Sequence, residues 1–460
     1  MRSAEFDVAI VGGGVAGLAA ASALAEAGKR VIVLEARGTL GGRATAFRDR
    51  VTGELVDNGQ HVLFGCYHET FRFLRRIGAD DRVAVQPSLQ VAYLDVAGRK
   101  SVFRCPKWPP PLHLVGGVFG WSALPWREKL GALRLASDLR RPQNGRAGRP
   151  ITRAFNPEIT VAEWLDRRNQ RGRIRTWLWD PLAVAALNQA PDEAAAAAFV
   201  RVLQLMFAGS RTDASIALPR RPLHEMYAQP AQRFIEARGG SVMLNALARV
   251  RIERRRVSGL DVRGEAIAAT QVVAAVPWFA LESLLTGDLS PMSETIAHAS
   301  AMVSKPIVTV NLWYDRTVME EEFVGLPERQ MQWVFDKRRV FGESASHLSL
   351  VASGADALVG QDNAALIALA AREVAEGIPG ARSATLVRGT VVREKRATFS
   401  VAPGQPQRPG VETPIDGLLL AGDWIDTGLP GTIESAAIAG HRAAKSALDN
   451  LNRHSRIINP

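Results

Sequence analysis

Residues 6–35 read FDVAIVGGGVAGLAAASALAEAGKRVIVLE, and no other stretch constrains this chain as tightly. Asp7 to Val11 is a short apolar strand, followed by Gly12, Gly14 and Gly17 in GxGxxG spacing. An Ala/Leu-rich helix then runs to about Ala27, Gly28 closes it, and Val31 to Leu34 forms a second strand ending at Glu35. Gly12 permits the tight turn, Gly14 lets the backbone approach a pyrophosphate, and Gly17 lets the helix pack on the strand. The first helical turn, around Ala16, presents the positive end of the helix dipole to that pyrophosphate. Glu35 lies 18 residues past Gly17, where a carboxylate accepts hydrogen bonds from a ribose diol. The stretch predicts a βαβ dinucleotide-binding unit.

Val8 to Ala25 carries no charge and approaches the length of a membrane span. Glu5 and Asp7 stand where a signal peptide would be basic, and clustered glycines suit neither a signal nor an anchor. An integral membrane protein is not expected. A chain of 460 residues exceeds one core and suggests two or three domains. Cys66 and Cys105 form no CxxC, and no His/Cys cluster has zinc spacing. Free thiols, a reducing compartment such as the cytoplasm, and no metal are expected. The net charge of +11 is scattered. No nucleic-acid-binding module accompanies it, so the charge reads either as an ordinary arginine-rich solvated surface or as a match for an anionic membrane surface.

A second cofactor segment follows. Residues 36–43 read ARGTLGGR, so Ala36, Gly42 and Arg43 stand just behind the ribose-binding acid. Far downstream, residues 418–437 read LLLAGDWIDTGLPGTIESAA. A strand there ends at Gly422 and Asp423, and Thr432 and Ile433 open a helix through His441. A strand end aims a carboxylate at a diol, and a helix N-terminus offers free backbone N–H groups. Two such sites at opposite ends of a chain can clamp one long cofactor, and FAD, with its ribityl arm, suits that better than NAD.

On these motifs the chain resembles the FAD-dependent amine oxidase and phytoene desaturase superfamily. The resemblance implies that Arg43 contacts the pyrophosphate, Asp423 a ribityl hydroxyl, and backbone N–H groups near Ile433 the flavin carbonyl. Residues 239–250 (GGSVMLNALARV) and 272–277 (VVAAVP) are similar to the superfamily's second crossing of the cofactor domain, where the backbone near Val250 would meet the adenine. Residues 57–76 (DNGQHVLFGCYHETFRFLRR) and 179–191 (WDPLAVAALNQAP) are similar to the hydroxysqualene dehydroxylase family of squalene and hopanoid synthesis. That resemblance implies reduction of hydroxysqualene to squalene by reduced FAD, with Gly59 and Gln60 positioning the flavin ring.

The fold class expected is α/β. A discontinuous Rossmann-type FAD domain would comprise residues 1–80, 218–280 and 398–450. An inserted α+β substrate domain would comprise residues 81–217 and 281–397. Smaller expectations are a capping box at Thr160 and Glu163, a half-buried strand at 308–313, a strand near 348–351 and a helix over 363–376. Residues 140–150 read as a loop, and the tail after Asn450 carries little pattern.

Departure of an allylic hydroxyl needs a general acid near the flavin. His61 is the first candidate, because its ordinary pKa suits the task, with packing on the ring or a hydrogen bond to a backbone carbonyl as its other reading. Asp57 is the second, with a turn ahead of Asn58-Gly59 as its other reading. Asp180 before Pro181 reads as a helix cap. Lys305 resembles the superfamily's lysine that reaches the flavin through water. Thr432 stands where amine oxidases carry an aromatic cage residue, which counts against an amine substrate. Trp108, Phe119, Trp121 and Trp126, flanked by Lys107, Arg127 and Lys129, form a candidate membrane-interface patch, with substrate-domain core as the alternative. Two other functions share the motifs wholly or in part: an oxidative polyene desaturase, and a non-enzymatic binder of lipidated proteins like the GDP dissociation inhibitors.

Overall fold

The computed structural model describes residues 5–135, 158–343 and 346–458. The loop expected at 140–150 lies outside the described residues. β1 (Phe6–Val11), α1 (Val15–Glu26) and β2 (Val31–Leu34) form the expected βαβ unit. β3 (Ser241–Met243), β4 (Ala269–Ala274) and β5 (Leu418–Leu420) complete a five-stranded parallel sheet in the order β3-β2-β1-β4-β5. This is the doubly wound order of nucleotide-binding sheets. Its strands are apolar on both faces because both faces are covered: β2 and β5 are buried throughout.

α2 (Ile433–Ile458) follows β5 and lies on α1. Small side chains set the closeness of that packing. A Cβ added at Gly440 would stand 2.2 Å from the Ala16 carbonyl oxygen. α2 also runs past Asn450, contrary to the expectation of a patternless tail. Leu448 and Leu451, three residues apart on one helix face, pack against the core and carry the helix on.

A four-stranded sheet, built on Ala248–Glu253 and Arg256–Val262, shares a core with β1 and β2. A seven-stranded sheet forms the other layer, with Leu386–Phe399, Ser304–Tyr314 and Ser346–Ser353 at one side and Gln90–Leu94 and Lys100–Arg104 at the other. The strand expected at 308–313 is buried nearly throughout, not half-buried. Helix Asn363–Gly377 covers one face of it through Leu366 and Ala370. The Thr160–Glu163 capping box is present in both directions. Asp180 is not a cap, because the preceding residues Arg175–Trp179 are already helical and Asp180 pairs instead with Arg175 at 3.3 Å.

Candidate active site

One cavity of about 980 Å³ lies between the parallel sheet and the seven-stranded layer. Gly12, Gly14 and Ala16 line it at one end. Gly12 has φ +111°, and a Cβ there would stand 2.4 Å from the Ala275 carbonyl oxygen, so only glycine fits this turn. Gly17 does not line the cavity; its missing Cβ leaves room for the Gly12 carbonyl oxygen, which such an atom would meet at 1.9 Å. Gly14 caps α1 without a side-chain acceptor, and the first turn holds no acid. The opening N–H groups therefore remain available to an anion.

Glu35 and Ala36 line the same end. Glu35 Oε2 accepts the Gly13 N–H at 2.7 Å and Oε1 accepts the Arg37 N–H at 2.9 Å. The carboxylate is fixed, with lone pairs left for a diol. Gly42 and Arg43 come next. Arg43 Nη2 stands 2.5 Å from Asp423 Oδ1, its Nη1 donates to the Ala397 carbonyl at 2.8 Å, and its guanidinium lies over the Trp278 ring. Gly422, Asp423, Thr432 and Ile433 line the wall opposite.

Val250 is a correction. It is fully buried within strand Ala248–Glu253, paired with Leu260 and Leu285, and does not reach the cavity. Ala246, Leu247 and Ala248 line it in its place. Ala248 and Val250 share one face of the strand and one core with β1 and β2, but Val250 lies further along the strand, beyond the cavity's end.

The DNGQH segment splits between wall and interior. Gly59, Gln60 and His61 line the cavity; Asp57 does not. Asp57 is 5% exposed, and its carboxylate accepts the Leu223 N–H at 3.0 Å and lies 3.0 Å from Lys337 Nζ. It cannot touch a substrate. His61 Nδ1 stands 2.8 Å from the Gly59 carbonyl oxygen, which can only accept, so Nδ1 carries the proton and Nε2 a lone pair. Burial holds the His61 pKa below its ordinary range, although the Gly59 hydrogen bond opposes it. With the charged ring disfavoured by burial, Nε2 is an acceptor, and donation from it requires prior uptake of a proton.

Lys305 is also elsewhere. Its Nζ pairs with Glu193 at 2.6 Å and Asp356 at 3.3 Å, and it does not line the cavity. The lysine behind the Gly59–His61 wall is Lys337, which sequence reading missed. It sits in the basic run DKRRVF, which looks like a solvated face.

Past His61 the cavity turns apolar, walled by Val91, Tyr93, Phe103, Phe207, Trp333 and Phe335. Leu112 and Leu133 line it while remaining 48% and 43% exposed, which places them at its mouth. Trp126, which opens helix Trp126–Ala132, is exposed, and so is Trp108, in the loop before helix Leu112–Gly120. Trp121 is not. It is fully buried against Tyr93, Phe103 and Trp177, and its Nε1 donates to Ser101. Burial pushes the thiols of Cys66 and Cys105 up to about 12. Glu54, Glu343 and His347 come together from distant parts of the chain, which sequence spacing did not reveal. Among the described residues, no helix is long and apolar enough to cross a membrane.

A family model for flavin-containing amine oxidoreductases matches residues 15–448. The chain belongs to this family. It is an FAD-dependent oxidoreductase, and the glycine cradle, fixed carboxylate and free helix amides fit an FAD pyrophosphate and ribose. Among curated relatives of this flavoenzyme, a hydroxysqualene dehydroxylase from Sinorhizobium fredii is 29% identical over 97% of this chain and 99% of its own. A 15-cis-phytoene desaturase from Synechococcus elongatus is 25% identical over 97% and 98%. The solved structure of an oxidoreductase from Methanosarcina mazei superposes with a TM-score of 0.72 at 16% identity, covering 95% of this chain and all of that one. At that identity it shows the shared fold alone.

Proposed function

We propose that this flavoenzyme reduces hydroxysqualene to squalene, with the isoprenoid chain in the apolar arm of the cavity and the allylic hydroxyl at the His61 end. The observation that carries the reading is continuity. One cavity joins the Gly12–Gly14 loop to the walls at Tyr93, Phe103, Phe207 and Trp333. A long hydrocarbon leaving water for such a wall gains about 25 cal/mol per Å². The full-length similarity to hydroxysqualene dehydroxylase supports the choice of substrate.

In this reading the amides from Gly12 to Ala16 hold the pyrophosphate, Glu35 the ribose, and Ala246 to Ala248 wall the adenine. Arg43 and Asp423 give up part of their mutual pairing to the pyrophosphate and ribityl arm. The backbone at Thr432 and Ile433 faces the ring carbonyl, and Gly59 and Gln60 set the ring's position. Bound reduced FAD supplies the hydride. His61 Nε2 accepts a hydrogen bond from the substrate hydroxyl and orients the C–O bond. The departing oxygen needs a proton, which His61 holds only after taking one up. The apolar walls keep water from the reacting carbon.

The mouth fits an anionic bilayer. Leu112, Leu133, Trp108 and Trp126 would enter the interface, with Lys107 and Arg127 at headgroup level. A substrate dissolved in lipid then enters without crossing water, at the cytoplasmic face of the membrane. Similarity to 15-cis-phytoene desaturase supports a second reading, oxidative desaturation of a polyene in the same cavity. The test is anaerobic incubation with hydroxysqualene and reduced FAD, with the product identified by mass. Squalene supports the proposal; unchanged substrate, with dehydrogenation of a polyene by the oxidised enzyme, replaces it with the second reading.

A further inference from the structure

Lys337 is only 1% exposed. Burying an ammonium is costly unless all its N–H groups find partners. Two partners are polar: Asp57 Oδ2 at 3.0 Å and Gln60 Oε1 at 2.7 Å. The remaining side of the ammonium faces the Phe341 ring, 3.7 Å from its centroid. The ammonium is therefore fully engaged and does not itself open into the cavity.

The elements it connects matter more. Lys337 opens the short helix Lys337–Phe341, held by Asp336, whose side chain accepts the Arg338 N–H at 3.0 Å. The preceding strand Trp333–Asp336 presents Trp333 and Phe335 to the apolar arm of the cavity. At the other end of the contact, Gln60 lines the cavity, and its Nε2 donates to the His61 carbonyl at 3.2 Å. Asp57, held by Leu223, anchors the start of the same turn. The chain of contacts thus runs Leu223, Asp57, Lys337, Gln60, His61, from the back of the wall to its face.

A structural ion pair alone could be exchanged for apolar side chains of similar volume at little loss. Here the ammonium's second acceptor is a side chain of the cavity wall, so an apolar exchange would release that wall. We propose that Lys337 and Asp57 are a positioning pair that sets the Gly59–His61 turn against the bound flavin, and so fixes both FAD affinity and the place of His61. The inference rests on FAD occupying this cavity.

The test uses Lys337→Met, the double variant Asp57→Asn/Lys337→Met, and Gln60→Ala, with Tm, FAD dissociation constant and the pH profile of single-turnover reduction measured for each. Lys337→Met alone strands a buried carboxylate and should lower Tm. The double variant removes both charges and should recover most of that Tm. Its FAD dissociation constant should still rise by about tenfold or more, the scale of losing hydrogen bonds to a charged group. The His61-dependent limb of its pH profile should move as well. Gln60→Ala keeps the ion pair but removes one acceptor of the buried ammonium, so it should show the same weakening with a smaller fall in Tm than Lys337→Met, which secures the test if the double variant fails to fold. Wild-type FAD affinity and an unmoved pH limb in Gln60→Ala, or in a double variant of recovered Tm, would overturn the proposal. A wild-type protein that binds no FAD would overturn it together with the cofactor reading, and the two failures are told apart by that control.

Discussion

The guanidinium of Arg43 stands 2.5 Å from the carboxylate of Asp423, a partner 380 residues away along the chain. Both side chains line the cavity, so the contact draws its two walls together. In the proposed complex each gives up part of this pairing to the cofactor. Asp423→Ala should keep the fold, leave Arg43 without its carboxylate and lower flavin occupancy. The loss should be about tenfold in affinity. The ratio of flavin to protein absorbance in the purified variant measures it, and full occupancy would remove Asp423 from the ribityl site.

Glu35 has two tasks. It fixes Gly13 and Arg37 through their N–H groups, and in the proposed complex it receives the ribose. Glu35→Ala should weaken FAD by about 1.5–3 kcal/mol, the range for a hydrogen bond to a charged group. Tm of the apoprotein should fall too, because Gly13 loses its acceptor. Titration of apoprotein with FAD gives the first quantity and thermal unfolding the second; unchanged affinity would confine Glu35 to shaping the loop.

His61→Ala should retain flavin and slow single-turnover dehydroxylation by about 10²-fold, the lower end of proton-transfer effects. Burial lowers the His61 pKa, so the protonated ring is scarce at neutral pH. The wild-type rate should therefore climb as pH falls toward that pKa, and the Ala variant should lose the climb. Rapid mixing of pre-reduced enzyme with substrate across pH reads both. Turnover within about threefold of wild type, far below that range, would leave His61 as a packing residue.

Three histidines make the fold acid-sensitive. His113 is 1% exposed, with neither ring nitrogen hydrogen-bonded. Burial lowers its pKa from 6.5, and lowers those of His61 and His441 in the same direction. The unfolded chain takes up these protons near pH 6.5, the folded chain only at lower pH. Stability is therefore fully present above 6.5 and is lost as pH falls below it toward the folded values. Thermal unfolding across that interval should show the decline, and His113→Leu should make it shallower. A variant with an unaltered slope would exclude His113 as a contributor.

Trp126→Ala combined with Leu133→Ser should reduce co-sedimentation with anionic liposomes. Added salt should do the same, each basic residue near the surface counting for about 1 kcal/mol. Trp121→Ala should act on a different observable, lowering Tm by removing a buried core ring at about 3–5 kcal/mol. Equal recovery of wild type in the supernatant with and without anionic lipid would dismiss the bilayer as partner.

The βαβ unit was legible because its signals are local: strand, glycine turn, helix and acid follow one another within residues 6–35. The opening of α2 was legible for the same reason. Val250 was chosen through the resemblance, and the cavity lining stops at Ala248, two positions earlier on the same face of the strand, a limit that period-two alternation does not mark. Trp121 and Trp126 stand five residues apart, and nothing local says that one enters the core and the other faces solvent. Lys337 was invisible because its partners, Asp57 and Gln60, are 280 and 277 residues away. A buried charge declares itself only through the contacts that permit it.

The close approach of Gly440 to Ala16 has a consequence for biosynthesis. The glycine loop and the first helix are made well before the helix that covers them, because Ala16 and Gly440 lie far apart along the chain. The intervening strands and helices, the seven-stranded sheet among them, must be made while the first helix waits without its partner. The nucleotide cradle therefore gains this cover only once Gly440 and the helix around it have been made.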